Sequence, residues 1–88
     1  MKKVYASTIF GMLLEQQNLL AKYSHDKLAI KEIVADIKSI ESVITLLSVK
    51  GILKYDAKSD EILLEVQKQK KALEELSINA WINSLKKQ

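Results

Sequence analysis

Residues 46 to 66 read LLSVKGILKYDAKSDEILLEV, and two backbone paths fit them. One is the end of a long helix, a connection and the start of another helix. The other folds "ILKYD" and "EILLEV" into paired strands around "AKSD". Gly51 favours the first path. It stands where the residue after a helix takes positive φ, and Leu47 and Ile52 have the spacing of the apolar pair that closes a Schellman cap.

Upstream of that cap, Ile30, Ile33, Ile37, Ile40, Ile44 and Leu47 follow a 3-4-3-4-3 spacing, the apolar seam of one long amphipathic helix. Ser24 is its expected N-cap, with Asp26 in the first turn and Tyr23 and Leu28 spaced as a hydrophobic staple. The helix is therefore expected over about 25–50. Downstream, Ile62, Val66, Gln69, Leu73, Leu76 and Ala80 mark a second long helix over about 60–86. Ser59 is its expected cap, and Asp60, Glu61, Lys86 and Lys87 carry the charges that complement a helix dipole at its two ends. Two helices of about 39 Å each, joined by a short connection, are expected to fold back as an antiparallel hairpin.

An N-terminal helix over about 4–22 is expected to pack on that hairpin, giving a single all-α domain over 1–88, a three-helix bundle. Its apolar face is too broad for one neighbour, since Val4, Tyr5, Ala6, Ile9, Phe10, Met12, Leu13 and Leu14 cover well over half the helical circumference. Tyr5, Ile9, Phe10, Met12 and Leu14, joined by Trp81 near the other end of the chain, are thus the candidate interaction surface. A protein partner or a second copy forming a homodimer would cover it.

Composition narrows the classes further. The chain of 88 residues has no proline, two glycines and no cysteine, which disfavours short-strand architectures and excludes disulfide scaffolds and thiolate chemistry. The start MKKVYASTIFGMLLEQQ resembles a signal peptide in its two lysines and apolar run, but no small-residue cleavage pattern follows, and the cytoplasm is the expected compartment. No apolar run approaches the ~20 residues of a membrane span.

The stretch IKEIVADIKSIESVITLLSVKGILKYDAKSDEILL is similar to a winged helix-turn-helix pattern, with "KGIL" as the junction to the wing. That resemblance implies a β-hairpin at about 52–64 and a DNA-binding regulator. Against it, residues 34–39 offer no Gly, Asn or Pro for the required turn, and a break there would interrupt the isoleucine seam. All 14 basic residues are lysine, so the bidentate arginine contact most used on guanine is missing. The densest basic cluster, Lys68, Lys70 and Lys71, is interleaved with Glu65, Glu74 and Glu75, the pattern of a solvated helix face.

Catalytic constellations are not apparent. His25 is the single histidine and has no second histidine or cysteine to share a metal with, and "DAKSDE" lacks the glycine and distal glutamate of an EF-hand loop. ILKYDAKSDEILLEV faintly resembles the segment between two long helices of small all-helical chorismate mutases. That family binds a dianionic substrate through several arginines, so the activity does not carry over to a chain with none. The expectation is a lysine-rich, coiled-coil-like helical protein, not an enzyme and without cofactor, acting through protein–protein contacts as an adaptor, inhibitor, immunity factor or chaperone. A winged-helix regulator bound to nucleic acid is the alternative.

Overall fold

The computed structural model describes the backbone of residues 2–86 and the side chains of residues 2–75. In chain order the elements are β1 (Val4–Tyr5), α1 (Ala6–Lys22), α2 (Lys27–Val49), β2 (Leu53–Lys54) and α3 (Ala57–Lys86). The fold is the expected all-α three-helix arrangement, with one two-stranded parallel ladder at its end.

α2 is unbroken from Lys27 to Val49, so the isoleucine seam stays on one rod. Its C-terminus closes as the sequence implies. Gly51 has φ +69°, its N–H donates to the Ser48 carbonyl at 3.1 Å, and the Ile52 N–H donates to the Leu47 carbonyl at 3.1 Å. These are the two bonds of a Schellman cap. The N-terminus lies two residues later than expected, because Asp26 rather than Ser24 is the cap. The Asp26 carboxylate accepts from the Leu28 and Ala29 N–H groups, each at 3.1 Å, and Leu28 is 68% exposed rather than stapled.

The winged-helix alternative does not hold. Residues 53–54 pair in parallel with residues 4–5, not with a following strand, and from Ala57 onward the chain is helical. α3 begins three residues earlier than the expected 60 for a local reason. Ser59 does not cap from outside the helix but sits in its first turn, where its hydroxyl accepts from the Asp56 N–H at 3.0 Å and donates to the Asp56 carbonyl at 2.6 Å. The N-terminal helix is shorter than 4–22 because Val4 and Tyr5 are taken into the ladder, with the Val4 N–H donating to the Ile52 carbonyl at 2.8 Å.

That ladder sets how the helices lie. Val4 pairs with Leu53 and Tyr5 with Lys54. Farther on, Ser7 meets Asp56 and Gln17 meets Val66, at the same separation of 49 residues in sequence. α1 and α3 therefore run parallel and in step. α2 runs against both, since the early α1 residues Ala6, Ile9 and Phe10 pack with Ile40, Ile44 and Leu47 from late α2 as well as with Ile62 and Leu63 from early α3. The two long helices form the antiparallel pair, but each rests mainly on α1, which is wedged between them. Of the broad apolar face of α1, Ala6, Ile9, Phe10 and Leu13 are buried, while Tyr5 and Met12 stay exposed.

Candidate functional site

Because α1 separates α2 from α3, the isoleucine seam of α2 is only partly covered. Ile33 is buried, whereas Ile30, Ile37, Ile40, Ile44 and Leu47 are half-buried. The space beside them is an open groove of about 810 Å³. Phe10, Leu13, Gln17 and Leu20 of α1 form its floor. Val34, Ile37 and Ile44 give α2 an apolar wall, and Leu63, Val66 and Leu73 do the same for α3. Tyr55 closes one end, its ring 6.1 Å from that of Phe10 and tilted by 60°. Each wall has one cation and one anion at its edge, Lys38 and Glu41 on α2 and Lys70 and Glu74 on α3. Among the described residues none of the four is ion-paired, the one ion pair there being Lys68–Glu65 at 3.7 Å.

The floor contains one polar anomaly. Gln17 is 3% exposed; its amide nitrogen donates to the Val66 carbonyl at 3.3 Å, but its Oε1 has no donor. A buried acceptor without a partner costs about 1–3 kcal/mol. Glutamine here ties α1 to α3 at the price of that orphaned oxygen.

The closed end of the groove is held by polar contacts far apart in sequence. Tyr5, the residue before α1, makes no side-chain cap bond. Asp56 does the capping from the other side of the fold: its carboxylate accepts from the Ser7 N–H at 3.2 Å and from the Ser7 hydroxyl at 2.7 Å. These bonds satisfy a donor in the first turn of α1 and put a negative charge at its positive end. The Ser7 hydroxyl bond is the main reason the Asp56 carboxyl lies below its usual value of 3.8. The Lys54 ammonium lies 5.4 Å from the Tyr5 ring centre, bracing the same junction.

The sequence-derived surface residues are dispersed by this fold. Tyr5 and Met12 are 52% and 51% exposed, and Leu14 is half-buried on the outer side of α1. Ile9 and Phe10 are in the core, at 7% and 4% exposure. Trp81 lies outside the residues whose side chains are described. Among the residues that periodicity did not mark, Gln17, Lys38 and Glu41 belong to the groove. A polar residue on an otherwise apolar helical face was the available signal for Gln17.

Among the described residues no group of three His, Asp or Glu is placed to hold a metal, and no helix is long and apolar enough to cross a membrane. No protein-family model, curated protein or solved structure matches the chain.

Proposed function

We propose that the chain is a non-catalytic docking protein that receives an amphipathic helix in the groove between α2 and α3. The carrying observation is the half-covered isoleucine wall of α2, facing an 810 Å³ groove that α1 floors and α3 borders. Two helices over a third are a four-helix bundle with one place open, and a helix laid there buries its apolar face as in other helix-in-groove complexes. The edge charges support the same occupant. With both signs at each lip, they suit a helix whose apolar stripe is flanked by Lys and Glu, as at the e and g positions of coiled coils.

The test is photo-crosslinking in the native cell from a reactive residue at Ile37, in the groove, and from one at Lys31, on the exposed side of the same helix. The expected result is an adduct from the groove position alone, with the attached peptide showing apolar residues at helical spacing. Equal labelling from both positions, or attached peptides without that spacing, would refute the proposal.

A further inference from the structure

We infer that the helix filling this groove is α2 of a second copy of the same chain, lying antiparallel to the first α2 about a two-fold axis. The inference rests on the docking function proposed above and names its partner.

The first support is the apolar surface left partly uncovered on α2. Ile30, Ile37, Ile40, Ile44 and Leu47 are half-buried beside the groove, on a helix of 23 residues that is about 35 Å long. A stable two-fold interface takes about 800 Å² or more from each copy, and a helix face of that length is on the scale such a contact needs.

The second support is the charge order on the groove edge of α2. A two-fold axis makes residue i meet residue j while j meets i. Lys38 and Glu41 are both exposed, three residues apart on the groove side, and have opposite signs. An axis passing between Ser39 and Ile40 sets Lys38 of each copy opposite Glu41 of the other, two ion pairs from one operator. Val34 of each copy then falls at the level of Ile44 and Thr45 of the other, covering part of the seam that α1 leaves bare. A parallel arrangement would set Lys38 against Lys38 and Glu41 against Glu41, which is repulsive. The edge charges therefore select the antiparallel one.

The experiment is sedimentation equilibrium on the full chain, the Lys38→Glu variant, the Glu41→Lys variant and an equimolar mixture of the two variants. Both positions are exposed, and circular dichroism checks that helix content is kept. The wild type is expected to dimerise, and each single variant to dissociate at least about tenfold more readily because like charges then meet twice across the axis. The mixture is expected to recover a dimer, since every introduced charge then faces its opposite. The loss in each single variant is what separates the antiparallel geometry from a parallel one, in which the wild type would already meet like charges twice, and the recovery shows that the loss is electrostatic. A wild type that stays monomeric, a dimer indifferent to both substitutions, or a mixture that fails to recover would each overturn the inference. A monomeric wild type that still crosslinks a foreign helix from Ile37 would overturn it while leaving the docking function standing.

Discussion

Replacing Gln17 by Leu should stabilise this protein, against the common expectation that losing a hydrogen bond weakens a fold. The side chain is 3% exposed, so both its polar atoms are out of water. Its nitrogen makes one bond, to the Val66 carbonyl at 3.3 Å, beyond the usual range for N–H···O and thus at the weak end of the ~0.5–1.5 kcal/mol such bonds contribute. That carbonyl lies within α3 and keeps its helical partner four residues on, so removing the amide leaves it satisfied. The orphaned Oε1 costs about 1–3 kcal/mol, and Leu removes that cost. The net expectation is a gain of about 1–2 kcal/mol, which for a chain of this length raises the melting temperature by roughly 5–10 °C. Urea unfolding followed by circular dichroism, at one fixed protein concentration, reads it as a higher midpoint at unchanged slope. A midpoint lower than wild type would mean that the oxygen has a partner, and the account of the groove floor would be wrong.

Three further outcomes follow from the same contacts. Asp56 has its carboxyl pKa lowered in the folded chain, chiefly by the Ser7 hydroxyl, so it stabilises above the unfolded value of 3.8 and that contribution is lost as pH falls through the lower folded value. Asp56→Asn should therefore lower the urea midpoint near neutral pH and shrink the wild type's decline below pH ~4, with an unchanged acid decline counting against the cap. Phe10→Ala, in the cluster where all three helices meet, should cost about 3–5 kcal/mol, a large share of the stability of so small a domain. A calorimetric loss under about 1 kcal/mol would place Phe10 outside the core. Gly51→Ala meets no atom within 4 Å, so its cost is that of a left-handed backbone alone, about 1 kcal/mol by chemical denaturation. Gly51→Asn should cost less, because asparagine tolerates that conformation better.

What the sequence determined by itself is what physical chemistry fixes within a few residues. The Schellman cap at Gly51 involves donors and acceptors from Leu47 to Ile52. The continuity of α2 is written in the spacing from Ile30 to Leu47, because a turn would take an isoleucine off its face. Local capping was legible less sharply: Ser24 and Asp26 both suit the role, and only the backbone path picks Asp26. The tertiary structure decided everything that depends on which face meets which. Periodicity marks an apolar seam without naming its cover, so it could not tell that α1 would lie between the long helices and leave the isoleucines half-buried. The pairing of Val4 with Leu53 and the capping of α1 by Asp56 both follow from a register of 49 residues between two parallel helices. Such a register is set by the packing of α1 into both neighbours at once, a balance of many small contacts that no local spacing records.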